Sequence, residues 1–430
     1  MKENKTAVSV FWYRRDLRLE DNHGLHQAMK SSHPVLPVFI FDEEIIAELP
    51  AEDARISFIH DTLQSLNDRL LEHGSGLFCI KDKPLAAWKK ITEKFDVKEV
   101  YANEDYEPYA IKRDTSVRDF LKSRGIAFTL CKDQVIFEKN EVVKSDGKPY
   151  TVYTPYRNKW MELFRKSSHA VYADPDMGSF VQQQFPYPEL NELGFRKSGI
   201  KVPDYKPGRL ADYAETRDIP AIAGTSRLGP HLRFGTIGIR SIIEQAKSHP
   251  VFLGELIWRE FFMQILYHFP HVVDQNFRSK YDGIAWRNNT KEFEKWKRGE
   301  TGYPMVDAGM RELNSTGFMH NRVRMVVGSF LCKHLLIDWK WGEAYFAEKL
   351  LDYELSSNNG NWQWVAGTGC DAAPYFRVFN PYEQQKKFDP EMAYIKKWIP
   401  ELNSPDYRDP MVDHKLARER AIGTYKAGLS

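Results

Sequence analysis

The sequence holds 430 residues, of which 42% are hydrophobic and 28% charged, and its formal net charge at pH 7 is +2. The length favours two domains, and a charge so near zero does not indicate a nucleic-acid binder, although it permits a local basic patch. Apolar runs of about 18 residues and a signal-peptide core are both lacking, so we expect a cytoplasmic protein without a membrane span. The four cysteines are far apart and indicate neither disulfides nor a metal site.

The N-terminal part alternates between strand and helix patterns. Runs of β-branched and aromatic residues predict five strands, at 7–13, 35–41, 76–80, 97–102 and 126–130. Helical patterns separate several of them, near 53–73, 84–94 and 107–124. Because strands that alternate with helices form parallel, doubly wound sheets, we predict a Rossmann-like α/β domain over residues 1–135.

The segment after the first strand is charged. It reads R-R-D-L-R from Arg14 to Arg18, where a dinucleotide-binding domain would have G-x-G-x-x-G. We interpret it as a charged loop at the carboxyl edge of the sheet.

The rest of the chain divides into a connector and a helical part. Residues 136–205 have many prolines and little periodicity apart from a short helical pattern at 156–166, which predicts an interdomain connector. Residues 206–430 have helical patterns, which predict a second, all-α domain.

The stretch 352–381 has an unusual composition. It opens with the carboxylates Asp352 and Glu354, and the turn-forming residues 356–361 then predict an irregular segment, since such residues seldom fill a helix interior. Trp362 and Trp364 follow at a spacing of two. This combination suggests a pocket for a ring system with a polar edge. The residues alone leave open a buried polar loop with two core tryptophans.

Two glycines follow these tryptophans in the same stretch. Gly367 and Gly369 are placed where a missing Cβ would let a flat group approach the backbone.

Two further segments carry polar side chains on one helical face. In G-E-L-I-W-R-E-F-F, from 254 to 262, the shared face holds Glu255, Trp258, Arg259 and Phe262. A carboxylate and a guanidinium beside an indole favour a cavity wall over a core face.

A helix predicted to start near Gly317 places Asn321 and Met325 on one face. Arg324 is well placed to pair with Asp352.

The segment T-S-R-L-G, from 225 to 229, indicates an anion site. Thr225 and Ser226 are placed as helix N-caps, with hydroxyls and free N–H groups directed outward. A plain capped helix without a ligand is the alternative.

These motifs together resemble the photolyase and cryptochrome family. N-N-G-N-W-Q-W from 358 to 364 and G-T-G-C-D-A-A-P-Y-F-R-V-F-N-P from 367 to 381 are similar to its flavin-binding core, and the segment from Thr225 resembles its flavin-phosphate loop, preceded by Tyr213 and Arg217. The resemblance extends over nearly the whole chain. It implies an antenna-binding α/β domain, an all-α FAD-binding domain, and one FAD per chain that is reduced in the active state.

The resemblance also implies roles for individual residues. The expected FAD contacts are Tyr213, Thr225, Ser226, Arg227, Leu228, Gly229, Arg324, Asp352, Tyr353, Glu354 and Asn358. The expected DNA contacts are Glu255, Trp258, Arg259, Phe262, Asn321, Arg322, Met325, Trp364 and Arg377. The residues expected to take part in the reaction are Glu255, Asn358 and the electron-transfer tryptophans Trp362, Trp339 and Trp286.

Several positions depart from the family pattern. Gly229 stands where the family has Ser, so we expect weaker phosphate binding, and Phe318 replaces a Trp conservatively. Tyr109 and Ala110 stand where folate-binding relatives have an Asn-Glu pair. This departure argues against a folate. It leaves open whether a second antenna pigment is a deazaflavin, a second flavin or absent, with a folate as the least favoured choice.

Among family members, the pattern is most like that of a class I photolyase that repairs cyclobutane pyrimidine dimers. Asn321 and Met325 stand where (6-4) photolyases have two histidines, which argues against (6-4) repair, although Asn361 resembles the single-strand-preferring cryptochromes. A blue-light receptor without repair activity is the second hypothesis. We expect a monomer that acts on UV-damaged DNA without an obligate protein partner.

Overall fold

The computed structural model describes residues 5–206 and 210–429. The chain forms two compact units, each made of three segments. The first unit comprises Met1–Glu141, Leu163–Pro203 and Leu228–Ser248. The second unit comprises Val142–Glu162, Asp204–Arg227 and His249–Ser430.

A five-stranded parallel sheet forms the centre of the first unit. Its strands are β1 (Ala7–Tyr13), β2 (Val35–Asp42), β3 (Phe78–Asp82), β4 (Asp96–Asn103) and β5 (Ala127–Cys131). The strand order is β3-β2-β1-β4-β5, and all four pairings are parallel. The predicted α/β fold class is confirmed.

Helices cover both faces of this sheet. The helices of the first unit are α1 (His23–Ala28), α2 (Glu43–Ile46), α3 (Ala54–Leu71), α4 (Pro84–Lys94), α5 (Pro108–Lys122), α8 (Gly229–Phe234) and α9 (Ile239–Ala246). In β1, Phe11 and Tyr13 pack into one hydrophobic cluster with Leu63, while Val10 and Trp12 pack into another with Trp88. A strand buried on both faces has no polar alternation, which explains its continuous apolar run.

Residues 228–248 pack with the sheet, although we predicted that the helical domain starts at 206. The buried guanidinium of Arg240 donates to Asp21 at 2.7 Å and to Asp133 at 2.6 Å. The backbone N–H of Leu17 donates to the carbonyl of Phe234. Local periodicity identifies these residues as helical, but only the long-range ion pairs assign them to the first unit.

The second unit is built of helices in the part of it that the structure describes. Its α-helices after α6 (Tyr153–Lys166, divided between the units at Glu162) are α7 (Tyr213–Thr216), α10 (Pro250–His268), α11 (Thr290–Arg298), α12 (Pro304–Thr316), α13 (Asn321–Ser329), α14 (Trp339–Lys349), α15 (Leu355–Ala366), α16 (Pro381–Phe388), α17 (Ala393–Trp398) and α18 (His414–Gly428). A π-helical turn, Phe330–His334, extends α13. A hydrophobic cluster joins α12, α13, α14 and α15.

The helix predicted to start near Gly317 begins four residues later. Gly317 has a φ of 66° and ends α12, because glycine adopts this left-handed conformation without a steric penalty. The next helix begins at Asn321, where the side chain of His320 caps it by accepting the N–H of Arg322. Of the helices described, none is both long enough and apolar enough to cross a bilayer.

Candidate active site

The second unit contains a cavity of about 330 Å³. Its walls come from α10, α13, α14, α15 and the segment 350–354. The predicted flavin and DNA contacts that line it are Glu255, Trp258, Arg259, Phe262, Asn321, Arg324, Met325, Asp352, Tyr353, Glu354, Asn358 and Trp364, together with Trp362 of the predicted electron chain. Most of the predicted pocket residues therefore line one cavity.

Helix α10 provides the first wall. Pro250 occupies its first turn, where a missing N–H is harmless, and the helix then runs to His268. Glu255, Trp258, Arg259 and Phe262 all face the cavity, as the i, i+3, i+4, i+7 spacing predicted. A carboxylate oxygen of Glu255 accepts a hydrogen bond from Arg217 at 2.6 Å. Because Arg217 also lines the cavity, its charge compensates that of Glu255 inside the pocket.

Helix α13 provides the second wall. Asn321 and Met325 both line the cavity, one turn apart. The predicted ion pair is present, with Arg324 2.9 Å from Asp352. Arg324 also donates from Nε to the carbonyl of Met319, so its guanidinium group is held by two partners.

The third wall is a regular helix, where we predicted an irregular segment. Residues Leu355–Ala366 form α15 although several of them are poor helix formers. Tertiary contacts outweigh that preference. The Asn359 side chain donates to the carbonyl of Val272 at 2.8 Å, and Gln363 donates to the carbonyls of Val272 and Gln275.

The orientation of Asn358 is fixed by a residue that the sequence did not indicate. Its amide nitrogen donates to the Glu343 carboxylate at 2.9 Å and to the Glu343 backbone carbonyl at 3.0 Å. The amide oxygen is therefore left as an acceptor in a side chain that lines the cavity. Glu343 lies fifteen residues earlier in the sequence, on α14, so no local pattern linked it to Asn358.

Other lining residues were also missed: Gly328, Phe346, Leu350, Ser357 and Val365. A helical interpretation of 355–366 would have found two of them. Glu354, Ser357, Asn358, Asn361 and Val365 follow the spacing of one helical face.

The predicted electron-transfer tryptophans belong to one hydrophobic cluster. Trp362 and Trp339 are 3% and 1% exposed within it, and the partly buried Trp286 packs against it. The Trp362 ring centroid is 6.3 Å from that of Trp296. The Trp339 indole donates to Asn276 at 2.9 Å. Burial in one cluster is compatible with electron transfer, and their role remains a prediction.

Gly367 and Gly369, where we expected a flat group to approach, do not line the cavity. Gly367 has a φ of 87° and ends α15, and a Cβ there would lie 3.2 Å from the carbonyl oxygen of Ala373. A Cβ on Gly369 would meet Gln363 at 3.2 Å. Both glycines permit close packing of the chain against itself.

The hydroxyls of Thr225 and Ser226 do not cap a helix, contrary to our expectation. Helix α8 begins at Gly229 with Leu228 as its N-cap residue, and no side chain caps it. Pro230 in the first turn fixes the start of this helix, and Arg227 directs the chain into it with a φ of 59°. The boundary between the compact units falls between Arg227 and Leu228. Phosphate binding by this loop stays a prediction.

Some predicted contacts lie outside the cavity lining. In the second unit these are Tyr213, Thr225, Ser226, Arg227, Arg322, Arg377, Trp339 and Trp286. The Arg227 guanidinium stacks on Phe318 at 3.4 Å, and Arg217 lies 5.6 Å from the Tyr213 ring. Arg322 pairs with Asp218 at 2.8 Å.

Comparison with known proteins matches both parts of the chain to one family. Residues 9–176 match the model described as DNA photolyase, and residues 252–406 match that of the FAD binding domain of DNA photolyase. The chain is 38% identical to the deoxyribodipyrimidine photo-lyase of Halobacterium salinarum, over 97% of this chain and 99% of that protein.

Solved structures give the same result. A bacterial class III photolyase from Agrobacterium tumefaciens matches 99% of this chain and 98% of its own at a TM-score of 0.87 and 32% identity. An archaeal photolyase from Sulfolobus tokodaii with two FAD molecules matches 98% of this chain and all of its own, with a TM-score of 0.84 and 37% identity. A cryptochrome of Synechocystis matches 98% of this chain and all of its own, with a TM-score of 0.87 and 26% identity. The chain therefore belongs to the photolyase and cryptochrome family.

Proposed function

We propose that this protein is a deoxyribodipyrimidine photo-lyase that uses light and reduced FAD to split cyclobutane pyrimidine dimers in DNA. The observation that carries the proposal is the composition of one cavity. Glu255, Trp258, Asn321 and Met325 share it with Asn358, whose amide oxygen is left as an acceptor. In this proposal the protein acts on UV-damaged DNA as a cytoplasmic monomer.

The residues on the α15 side fit a flavin. Reduced FAD, when bound, supplies the photoexcited electron that splits the dimer. A reduced flavin ring offers an N–H donor, and Asn358 offers the matching acceptor, since Glu343 occupies the donor end of its amide. Asp352 and Glu354 line the same region, and Arg324 holds Asp352 in place.

The residues on the α10 and α13 side fit a dimer that has left the duplex. Removing a damaged pair from the stack costs a few kcal/mol, and stacking on an aromatic side chain returns about 1 to 3 kcal/mol per base. Trp258 and Trp364 both line the cavity and are the proposed stacking partners. Glu255 and Asn321 supply hydrogen bonds to the polar edges of the bases, and Met325 supplies an apolar contact.

The alternatives are a (6-4) photolyase and a blue-light receptor. The positions where (6-4) photolyases have two histidines are Asn321 and Met325, and both face the cavity. A cryptochrome shares the fold, so fold alone does not separate a receptor from a repair enzyme. The five residues that we expect to contact the dimer all line the cavity, which favours repair: Glu255, Trp258, Asn321, Met325 and Trp364.

A second pigment in the first unit is also part of the proposal. The Tyr109 hydroxyl, at a position where folate-binding relatives have a different residue, donates to Asp42 at 2.6 Å. We therefore favour a flavin or a deazaflavin over a folate, and the archaeal relative with two FAD molecules supports a flavin.

Repair is tested by mixing the photoreduced protein with an oligonucleotide that carries one thymine dimer and following the recovery of thymine absorbance. We expect turnover under blue light and none in the dark. Glu255→Ala is expected to lose about ten- to hundredfold in rate, since a hydrogen bond to a charged group contributes about 1.5 to 3 kcal/mol. Glu215→Ala, which removes an exposed carboxylate on α7, is the matched control. Tight binding of dimer DNA by the reduced protein without turnover would support the receptor.

A further inference from the structure

Tyr153, at the start of α6, covers one face of an indole in the cavity wall. The rings of Tyr153 and Trp258 are stacked with centroids 3.6 Å apart and planes inclined by 8°. Trp258 also meets Phe262 at 5.4 Å. Since Trp258 lines the cavity and one of its faces is occupied by Tyr153, only the opposite face is available for a ligand.

Tyr153 is itself held at three points. Its hydroxyl donates to the carbonyl of Gly254 at 2.7 Å, one helical turn before Trp258. Its backbone N–H donates to the carboxylate of Asp371 at 3.0 Å. Its ring edge packs against Phe261 at 5.8 Å. The phenol ring is therefore a fixed surface for Trp258 to rest on.

Other aromatic residues of α6 also pack against α10. Tyr156 and Trp160 follow Tyr153 at helical spacing and are both 1% exposed. Tyr156 packs on Phe261 at 5.2 Å, and the Trp160 indole donates to the buried Glu260 at 2.6 Å. Apart from the stack on Trp258, α6 therefore packs on residues of α10 that do not line the cavity: Gly254, Glu260 and Phe261.

We propose that Tyr153 is a positioning residue for dimer recognition, which holds the Trp258 indole so that its free face stacks on the extruded pyrimidine pair. The inference rests on the proposed function. Tyr153, Trp258 and a base would form three consecutive layers. An indole already ordered by Tyr153 loses little rotamer freedom when the dimer enters, and preorganisation of this kind raises affinity.

The first test needs no DNA. The holoprotein is labelled with 5-fluorotryptophan, and the Trp258 resonance is identified in the ¹⁹F spectrum by its loss in Trp258→Phe. We expect Tyr153→Leu to shift or broaden that resonance. Tyr153→Phe, which keeps the ring stack, is expected to leave it near its original position. An unchanged Trp258 resonance in Tyr153→Leu would overturn the positioning role.

The second test measures DNA binding and repair. For Tyr153→Leu we expect affinity for dimer DNA to fall about tenfold while affinity for undamaged DNA changes by less than about twofold. In this variant we expect KM for light-driven repair to rise and kcat to be retained. Tyr153→Phe is expected to keep the affinity and the KM of the parent. Tyr156→Leu removes an aromatic ring from the same face of α6 but is expected to keep the dimer preference. An equal loss in Tyr156→Leu would overturn the proposal, because general packing would then explain the effect.

The two tests separate the proposal from the function on which it rests. If the unaltered protein shows neither dimer preference nor repair, the proposed function is overturned. The fluorine spectrum still decides whether Tyr153 positions Trp258.

Discussion

The amide nitrogen of Asn358 donates to the carboxylate of Glu343 at 2.9 Å, across the gap between α15 and α14. Glu343 is partly buried, and desolvation raises the pKa of its carboxyl group, which the hydrogen bond from Asn358 opposes. The pair fixes which end of the amide is left for the cavity. Glu343, for which we predicted no role, therefore determines that the Asn358 amide offers an acceptor to the cavity.

We predict that Glu343→Ala makes the bound reduced flavin reoxidise in air several-fold faster, with FAD content retained. Without its carboxylate partner the Asn358 amide nitrogen keeps only its bond to the backbone carbonyl of residue 343, so the amide turns its nitrogen toward the flavin more easily. A hydrogen bond to a charged group, such as the one lost here, contributes about 1.5 to 3 kcal/mol. The return of flavin absorbance after photoreduction measures the rate. Glu348→Ala changes an exposed glutamate on the same helix and should leave the rate unchanged. Equal reoxidation in Glu343→Ala and the parent would contradict the prediction.

We predict opposite stability effects for alanine at two helical glycines. A Cβ on Gly342 would lie 2.2 Å from the Trp362 ring, so Gly342→Ala should destabilise by about 1 to 3 kcal/mol and displace Trp362. A Cβ on Gly423 meets nothing within 4 Å, so Gly423→Ala in α18 should stabilise by about 0.5 to 1 kcal/mol.

Urea denaturation measures both changes, and the rate of flavin photoreduction reports on Trp362. Slower photoreduction is expected in Gly342→Ala alone. If Gly342→Ala proves as stable as the parent, the close contact between Gly342 and Trp362 is wrong.

Much of the fold could be predicted from local pattern. The strand centred on Val10 and the helix that carries Glu255 have strong periodicity, and the structure places them as expected. The helix that carries Asn321 also forms, although it begins four residues later than predicted. Such elements are determined largely by their own residues, because each buries a continuous face.

What could not be predicted depends on long-range contacts. Helix α15 forms because the amides of Asn359 and Gln363 find carbonyl partners near Val272, and no local signal reports those partners. Residues 228–248 join the sheet through the ion pair of Arg240 with Asp133. The Asn358–Glu343 contact is of the same kind. The roles that the family resemblance assigns to these side chains remain predictions.

We predict that Arg377 contacts the DNA backbone. Its replacement should therefore weaken binding to damaged and undamaged DNA alike. The Arg377 side chain is exposed, 5.2 Å from the Phe379 ring, and forms no ion pair with any residue that the structure describes. Arg377→Ala should weaken binding to dimer and undamaged DNA equally and reduce the slope of log K against log salt by about one. Arg322 already pairs with Asp218, so Arg322→Ala should change the slope less.

Fluorescence anisotropy titrations at several salt concentrations measure these slopes. Arg124→Ala, which changes an exposed arginine in the first unit, serves as the control. An unchanged slope in Arg377→Ala would remove Arg377 from the DNA interface.

His320 is predicted to make stability depend on pH. The pKa of this imidazole is lowered to about 4, first by burial and then by the charges of Arg227 and Arg324, against the opposing charge of Asp218. Its Nδ1 accepts the N–H of Arg322 and caps α13, so protonation would turn the acceptor into a donor and break the cap.

The direction of the effect follows from proton linkage. The unfolded imidazole has a pKa near 6.5, so between about pH 6.5 and 4 the unfolded chain binds more protons than the folded one. The contribution of His320 is fully present above pH 6.5 and is lost as the pH falls toward 4, to a total of roughly 3 kcal/mol. Other groups titrate in the same range, so the prediction concerns the difference from a variant that does not titrate.

His320→Asn provides that variant, since asparagine is also a strong N-cap and carries no titratable group. We expect the free energy of unfolding of the parent to fall more steeply with decreasing pH than that of His320→Asn, as measured by urea denaturation near pH 7, 6 and 5. His73→Asn, at an exposed histidine of the first unit, should keep the slope of the parent. If His320→Asn also keeps that slope, His320 binds protons equally in the folded and the unfolded chain, and the cap does not depend on its neutral form.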